Sequence, residues 1–193
     1  IGDQLAEPIR IHQQSQTNDV LTRVKEMLNL VKIPSPETRV RDYPHQMSGG
    51  MRQRIVGAIA LACQPELLIA DEPTTSLDVT VQAQFLRLLK DIQNRMGLAM
   101  IVITHDFGIV ARICHRVAVM YAGKIVETAP IKELFKNPMH PYTVALMRAL
   151  PTFDTQSKRL QTIGGQPPDL RNLPEGCSFR PRCSSVLDLC KKE

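Results

Sequence analysis

The sequence predicts an α/β fold with a largely parallel sheet, and three features predict it. Two short apolar runs, residues 67–70 and 99–103, have the length and composition of buried strands. A helical pattern separates them, and this alternation is typical of α/β proteins. Each run stops at a polar cluster, the first at Asp71 and Glu72 and the second at His105. Both clusters are therefore expected on one carboxyl edge of the sheet, where open α/β sheets bind ligands.

The segment before the first strand is predicted to be mainly helical. Residues 20–31 repeat apolar side chains at spacings of three and four, and Pro34 ends the pattern. Residues 37–46 are charged, contain a proline and are expected to form a loop. A further helix is expected from Ser48, a good N-cap residue, to about Cys63. Its interior is apolar on nearly all sides, which favours burial against a sheet.

The segment after the first strand continues the alternation. The helix between the two strands is expected to end at Gly97, a residue type that suits a C-cap. Residues 116–121 and 124–128 are expected to pair as a β-hairpin. Beyond the hairpin prolines become frequent, which predicts an irregular extension with two short helices, near 131–136 and 142–150.

Composition and charge exclude some classes of function. The chain has 193 residues, 43% of them hydrophobic, and a net charge of +5. Its longest apolar stretch, residues 55–63, is far shorter than the roughly 20 residues that cross a bilayer. The basic surplus lies in the last third and is small, so a solvated basic face explains it better than nucleic acid or an anionic membrane does.

Ser48, Gly49 and Gly50 form a candidate anion site. A serine cap followed by two glycines leaves backbone N–H groups uncovered at the positive end of a helix dipole. Taken alone, this tripeptide is more often a plain helix cap. The anion site is therefore a hypothesis that depends on the residues that accompany it.

Asp71 and Glu72 form a candidate catalytic pair. An aspartate at a strand end can hold Mg²⁺, usually through water, and the following glutamate can polarise an attacking water. Two adjacent carboxylates at the edge of a buried sheet are costly unless they bind something, although both could simply cap the next loop. His105 could hydrogen-bond a terminal phosphate, but a lone histidine is more often structural.

In this order and at these separations, the stretches MSGGMRQR, LLIADEP, TSLD and ITHD closely resemble the motifs of an ATP-binding cassette (ABC) ATPase. The resemblance implies a P-loop NTPase-type ABC nucleotide-binding domain that uses ATP and Mg²⁺. Glu72 would orient or activate water, His105 would contact the γ-phosphate, and Asp71 would hold the Mg²⁺ shell. The other matching residues are Ser48, Gly49, Gly50 and Gln53 of the signature motif, which acts on a partner's ATP, and Asp78 of the D-loop.

The sequence departs from the family in small ways and in one large way. Met47 and Met51 replace the commoner Leu and Gln around the signature, and Ser76 replaces an Ala, with no functional group lost. The large departure is that no G-x-x-x-x-G-K-[ST] (Walker A) stretch and no Q-loop occur. The resemblance therefore implies a partial domain, an N-terminally truncated chain that does not bind or hydrolyse ATP by itself. It also implies a dimer, because the signature closes over ATP held by another subunit.

MYAGKIVETAP, NPMHPYTVALMRALP and GCSFRPRC resemble the subfamily that energises dipeptide and oligopeptide import. This implies a partial helical subdomain (1–46), an ABC ATPase core (47–129) and an incomplete, irregular C-terminal extension (130–193). Importers for nickel and some glycosides carry the same extension, so the cargo stays open. The resemblance further implies a second ABC ATPase subunit, expected to be a paralogue, two membrane permeases and an extracytoplasmic solute-binding protein. The chain is then expected to be peripheral on the cytoplasmic face of the inner membrane.

Cys177, Cys183 and Cys190 cluster near the C-terminus. Their spacing fits neither a zinc ribbon nor the common ferredoxin runs. The resembled subfamily can hold a [4Fe–4S] cluster here, with a fourth cysteine further on. A cluster is therefore expected in the intact protein, with zinc or unligated thiols as alternatives.

Two other classes of function are disfavoured by the sequence. An ABC protein of the DNA-repair or chromosome type would need long coiled-coil or zinc insertions, and the short spacings leave no room for them, so no nucleic-acid partner is expected. A regulatory subunit that does not hydrolyse ATP is disfavoured because Glu72 and His105 are both present.

Overall fold

The computed structural model of the chain describes residues 1–13, 17–150 and 162–192. The chain divides into two compact units, Ile1–Ile113 and Cys114–Glu193. The three regions expected from the resemblance are family regions rather than compact units, and they stay a prediction.

The first unit contains most of the regular structure. In chain order its helices and strands are α1 (Gly2–Gln13), α2 (Thr17–Leu30), α3 (Pro36–Arg39), α4 (Gly49–Leu61), β1 (Leu67–Asp71), α5 (Val79–Met96), β2 (Ala99–Ile103) and α6 (Phe107–Ile113). The predicted helices and both strands are confirmed to within a few residues. The predicted loop over residues 37–46 is partly wrong, because Pro36 and Pro44 each begin a short helical turn there.

β1 and β2 form a parallel pair that ends in register. Leu67 pairs with Ala99 at one end, and Asp71 pairs with Ile103 at the other. The residues that follow the two strands therefore emerge side by side at one carboxyl edge, as the sequence predicted.

The expectation that both strands are buried on both faces is wrong. Leu68 is 9% exposed and belongs to the core, whereas Ile69 is 61% and Ile101 is 49% exposed. Successive side chains of a strand point to opposite faces, and within the described residues only one face of this two-stranded sheet packs on the helices. The continuous apolar runs of both strands therefore leave one apolar face in contact with solvent.

The core of the first unit joins the helices to the covered face of the sheet. The expected burial of α4 against a sheet is wrong in part, because its buried residues meet those of α1, α2 and α5 and Val56 on its other side is 58% exposed. The fully buried side chains, each under 2% exposed, include Leu5, Ile9, Val20, Val24, Leu28, Val31 and Leu61. Each contributes roughly 1.5–3 kcal/mol through burial, so this core holds α4 and its N-terminus firmly in place.

The second unit is built around a β-hairpin. Its elements are β3 (Arg116–Tyr121), β4 (Lys124–Pro130), α7 (Ile131–Lys136) and α8 (Pro141–Arg148), and β3 pairs antiparallel with β4. The hairpin and both short helices are confirmed. Residues 149 and 150 lie beyond the observed end of α8.

Aromatic side chains form the centre of the second unit. The rings of Tyr121 and Tyr142 lie 4.6 Å apart, and Phe179 approaches them at 5.2 and 5.3 Å. Arg182 ties the irregular segment to this centre, because its guanidinium donates to the Tyr121 hydroxyl at 3.3 Å and to the backbone oxygen of Gly164 at 2.9 Å. The irregular extension is therefore anchored on the hairpin. None of the described helices has the length and apolar content needed to cross a membrane.

Candidate functional site

The backbone at the end of β1 fixes the position of Glu72. Its N–H donates to the backbone oxygen of Ile103 at 2.9 Å, which extends the strand pairing by one bond. Its φ is +44°, a left-handed conformation that costs a non-glycine residue roughly 1–3 kcal/mol. Pro73 follows and is buried. The sheet therefore holds Glu72 in a conformation that it would not adopt alone.

The carboxylate of Glu72 accepts three hydrogen bonds. Oε1 accepts from the backbone N–H of His105 at 3.2 Å and lies 2.7 Å from its ring nitrogen Nδ1. Oε2 accepts from the hydroxyl of Thr75 at 2.9 Å. Hydrogen bonding from His105, and then from Thr75, holds the pKa of the Glu72 carboxyl below its ordinary value. Glu72 is therefore an ionised carboxylate at neutral pH.

Glu72 and His105 come together although they are 33 positions apart in the sequence. Because β1 and β2 end in register, the two polar clusters meet as the sequence predicted. The side chain of His105 is 83% exposed and that of Glu72 is 38% exposed, so both are open to a ligand.

Asp71 is the last residue of β1 and is exposed at the same edge. Within the described residues no three His, Cys, Asp or Glu side chains form a metal-holding group. Mg²⁺ does not need one, because it keeps most of its water shell and takes one or two carboxylates together with substrate phosphates. An exposed oxygen donor beside Glu72 fits that requirement.

Ser48 begins α4 as its N-cap. Its side-chain oxygen accepts from the backbone N–H of Met51 at 3.3 Å. Gly49 follows, and a Cβ added to it would meet no atom of the described chain within 4 Å. The first N–H groups of a helix have no partner within it, so this end of α4 offers donors to an incoming anion. Gln53 lies one turn further on and is half-buried.

Gly50 differs from Gly49, because another helix packs closely against it and leaves no room for a side chain. A Cβ built on Gly50 would lie 2.6 Å from Cγ1 of Val81 in the first turn of α5. Asp78 caps that turn, and its Oδ1 accepts from the N–H groups of Thr80 and Val81, both at 3.0 Å. The start of α4 and the start of α5 are thus in direct contact.

Arg54 links the same helices to α2. Its guanidinium donates to the backbone oxygen of Lys32 at 3.2 Å, just beyond the end of α2, and to Oε1 of Gln84 on α5 at 3.5 Å. Asp91 of α5 also pairs with the side chain of Lys32 at 3.1 Å. Three helices are therefore joined around the N-terminal half of α4.

Sequence reasoning missed Thr75, Asp106 and the packing role of Gly50. Thr75 opens the TSLD stretch, in which only Asp78 was given a role, and its signal was a hydroxyl three residues after the candidate base. Asp106 closes the first turn of α6, because its Oδ1 accepts from the N–H of Gly108 at 2.7 Å. No sequence signal could have paired Gly50 with Val81, because that contact depends on how two helices pack.

In the second unit, His140 and Glu127 tie the start of α8 to the hairpin. Nδ1 of His140 accepts from the N–H of Tyr142 at 3.1 Å and so caps the helix. The carboxylate of Glu127 accepts from the N–H groups of Met139 and His140, both at 2.9 Å.

Burial lowers the pKa of His140 more than the nearby Glu127 raises it. Burial alone would raise the pKa of Glu127, but the Thr143 hydroxyl and the two N–H groups hold it below its ordinary value.

This arrangement predicts that the second unit loses stability as the pH falls. The pKa of His140 in the folded protein lies below its ordinary value of 6.5. The neutral ring therefore contributes to the free energy of unfolding above pH 6.5, and this contribution is lost as the pH falls through the folded pKa. Because the pKa of Glu127 is also lowered, from an ordinary value of 4.5, its carboxylate likewise stops stabilising the folded unit as the pH falls below that value. We expect the hydrogen-exchange protection of the Tyr142 amide to drop between pH 7 and pH 5.5.

The control is His140→Asn, which keeps a side-chain acceptor at the cap and does not titrate. Its protection factor at the Tyr142 amide should stay constant over the same pH interval. Equal pH dependence in the two proteins would contradict the assignment to His140.

Cys177, Cys183 and Cys190 are free thiols, each partly exposed. The N–H of Cys177 donates to the backbone oxygen of Cys190 at 3.1 Å, and Gly176 allows this approach. A Cβ at Gly176 would lie 2.5 Å from the same oxygen, and its φ is +71°. Among the described residues, these thiols do not form a group of three that could hold a metal ion.

Two protein-family models match the chain. One, described as ABC transporter, matches residues 3–75. The other, described as the C-terminal region of oligopeptide/dipeptide transporters, matches residues 126–190. The first match includes Ser48, Asp71 and Glu72 of the candidate site, and the second includes most of the second unit, whereas Asp78 and His105 lie between the two matches.

Curated relatives match nearly the whole chain. The dipeptide transport ATP-binding protein DppD of Bacillus subtilis is 50% identical over 192 residues, which are 100% of this chain and 57% of DppD. The oligopeptide transport ATP-binding protein OppD of Salmonella typhimurium is 46% identical over 190 residues, which are 98% of this chain and 57% of OppD. A Brucella ovis protein, provisionally named a peptide import ATP-binding protein, is 52% identical over 98% of this chain and 58% of its own. The chain thus spans less than three fifths of the length of these relatives.

Solved structures share the fold. CbiO1 of Clostridium perfringens, part of the ABC transporter complex CbiONQ, matches with a TM-score of 0.60 at 29% identity, over 69% of this chain and 51% of that chain. The ATP-binding cassette MJ0796, solved as a dimer bound to ADP and phosphate, matches with a TM-score of 0.59 at 24% identity, over 67% of this chain and 56% of that chain. The α/β fold of a partial ABC nucleotide-binding domain is thereby confirmed.

Proposed function

The chain belongs to the ABC transporter family and carries the C-terminal region of its oligopeptide and dipeptide transporters, and from this premise we propose that it forms part of the ATP-hydrolysing subunit of a peptide importer. One observation carries the proposal. Glu72 and His105 meet at 2.7 Å on the carboxyl edge of a parallel strand pair, in a chain about half identical to peptide import proteins.

The geometry supports a hydrolytic role for the edge of the sheet. Glu72 is ionised and fixed by the strand pairing, so it can orient the water that attacks the γ-phosphate. His105 is exposed beside it and can hydrogen-bond that phosphate. Asp71 would hold the water shell of Mg²⁺, and the ion when bound neutralises charge on the phosphates.

A separate surface serves a second nucleotide. The start of α4, with Ser48, Gly49 and Gly50, presents N–H groups in a pattern that suits the phosphates of an ATP held by another subunit. Gln53 lies one turn along the same helix. Asp78 caps the helix that packs on Gly50, and it follows Glu72 in the chain after the short segment 73–77. Through this segment, we expect binding at one site to act on the other.

The proposal includes the rest of an importer. A second ABC ATPase subunit, a paralogue of this one, would supply the complementary half of each site. Two membrane permeases would carry the peptide, and an extracytoplasmic binding protein would deliver it. The subunit would sit on the cytoplasmic face of the inner membrane and have no nucleic-acid partner. The regions 1–46, 47–129 and 130–193 would serve as helical subdomain, ATPase core and C-terminal extension.

Measurements of solute uptake by cells test which solute the importer carries. A strain without the full-length protein that carries this chain should lose uptake of labelled di- and oligopeptides, and the wild-type gene should restore it. A gene with Glu72→Gln should not restore it. Nickel uptake, measured in the same strains, is expected to be unaffected. Loss of nickel uptake with peptide uptake intact would overturn the assignment to peptides.

The 193 residues alone are predicted not to bind or hydrolyse ATP. They contain no G-x-x-x-x-G-K-[ST] stretch, so no lysine and backbone cradle hold the β- and γ-phosphates. Titration with a fluorescent ATP analogue should show no saturable binding below millimolar concentration. The full-length protein, measured beside it, is the control, and micromolar binding by the chain alone would contradict the prediction.

The iron–sulfur cluster expected in the full-length protein stays a prediction. Such a cluster takes four thiolate ligands, and the extension offers Cys177, Cys183 and Cys190. Iron and acid-labile sulfide, measured in anaerobically purified full-length protein, should both be present and should disappear in Cys183→Ser. Colourless, iron-free protein that hydrolyses ATP would rule the cluster out.

A further inference from the structure

The two carboxylate oxygens of Glu72 are held by different partners. Oε1 contacts His105, whose backbone nitrogen and ring nitrogen Nδ1 lie 3.2 and 2.7 Å away. Oε2 accepts a hydrogen bond from the hydroxyl of Thr75 at 2.9 Å. A hydroxyl has one proton to donate, and its alternative acceptor, the backbone oxygen of Glu72, is more distant at 3.3 Å. The charge-assisted bond to the carboxylate is the stronger of the two.

The turn that carries Thr75 is firmly placed. Pro73 and Thr74 are buried beside it, Thr74 being 4% exposed. The backbone oxygen of Thr74 accepts from the N–H of Leu77 at 3.0 Å. The hydroxyl of Thr75 therefore approaches Glu72 from a fixed point. Thr75 itself is exposed, so removing its hydroxyl leaves no buried polar atom without a partner.

A bound nucleotide is expected to change the contact of Oε1 with the His105 ring but not the contact of Oε2 with Thr75. His105 is proposed to hydrogen-bond the γ-phosphate, and a ring that does so changes its contact with Oε1, while the backbone N–H of His105 stays in place. The contact between Thr75 and Oε2 lies within one short turn and does not depend on that change. A carboxylate held by one oxygen alone can rotate about its terminal torsion, which has a broad minimum. Thr75 supplies the second hold.

We propose that Thr75 is a positioning residue for ATP hydrolysis, whose hydroxyl holds Oε2 of Glu72 so that Oε1 stays directed at His105 and the attacking water. This inference rests on the proposed function, because it assigns Glu72 the orientation of that water. It adds to the site a residue that acts only through Glu72.

The test compares Thr75→Val with Thr75→Ser in the full-length protein assembled in its importer. Valine keeps the size and branching of threonine without the hydroxyl, and serine keeps the hydroxyl. We expect Thr75→Val to lower kcat about tenfold, with the KM for ATP and the thermal unfolding midpoint unchanged, and Thr75→Ser to retain kcat. A parallel change in kcat and KM, or an equal loss in the serine variant, would overturn the proposal.

A double variant shows whether the effect passes through Glu72. In single-turnover assays, Thr75→Val should cause no further loss when Glu72→Gln is already present, because the carboxylate that it positions is gone. A further tenfold loss in that background would show that the hydroxyl acts elsewhere, and the proposal would fail.

A spectroscopic measurement separates this proposal from the proposed function. The carboxyl carbon of Glu72, observed by NMR in the 193-residue chain at one fixed pH, should shift in Thr75→Val and not in Thr75→Ser. An unmoved signal in the valine variant sinks the proposal whatever the ATPase result. A wild-type importer without ATPase activity, together with the expected NMR shift, would instead contradict the proposed function and leave the contact established.

Discussion

Replacing Glu72 with glutamine in the full-length protein is expected to lower ATP turnover by at least about 100-fold, the contribution of a positioned general base. Glutamine keeps the shape of the side chain. Its single oxygen can still accept from His105, and its NH2 group can donate to the Thr75 hydroxyl, which then donates to the backbone oxygen of residue 72. The fold and ATP binding should therefore survive. The negative charge that orients and activates the water is lost. ATP should then accumulate in a closed dimer, which can be detected by size-exclusion chromatography with labelled ATP.

The matched control for this experiment is Glu66→Gln. Glu66 immediately precedes β1, is exposed, and uses only its backbone oxygen in the strand pairing, where it accepts from Ala99 at 2.8 Å. The same chemical change at the opposite end of the strand should leave turnover intact. Wild-type turnover in the Glu72 variant would contradict the role given to that residue.

Substituting alanine for Gly50 is expected to destabilise the first unit by roughly 1–3 kcal/mol, the usual cost of overpacking. The added Cβ would meet Cγ1 of Val81 at 2.6 Å, well inside normal carbon contact. A β-branched side chain in a helix has one strongly preferred rotamer, so Val81 cannot easily turn away. Urea unfolding of the chain measures the loss, and Gly50→Ala combined with Val81→Ala should recover most of it.

Gly49→Ala is the companion control, because its Cβ would meet nothing within 4 Å in the described chain. Stability should be unchanged or slightly raised, since alanine favours the helix. If the surface around Gly49 receives a partner's ATP, this variant should nonetheless weaken ATP-dependent dimerisation of the full-length protein. Equal stability of the two alanine variants, or no recovery on changing Val81, would contradict the packing role of Gly50.

Sequence patterns predicted the elements well because each signal was local. Ser48 caps α4 through its own side chain, and Gly97 ends α5 with a φ of +65°. The paired polar clusters followed from one rule about parallel strands, so the meeting of Glu72 with His105 could also be predicted.

The rest of the site depends on contacts that no local pattern encodes. The left-handed backbone of Glu72 is imposed by its bond to Ile103 on the neighbouring strand. The separate roles of Gly49 and Gly50 depend on the packing of α5 against α4. The exposed face of the sheet was not predicted because Ile69 and Ile101 are apolar, as they would be in a strand covered on both faces.

We propose above that the full-length protein couples ATP hydrolysis to peptide transport, and ATP turnover by the importer in proteoliposomes is the decisive measurement. The full-length protein, its partner ATPase and the permeases are reconstituted with the binding protein, and phosphate release is followed with and without cargo. We expect di- or oligopeptides to stimulate turnover and nickel to leave it unchanged. Turnover that responds to nickel alone, or to neither cargo, would contradict it.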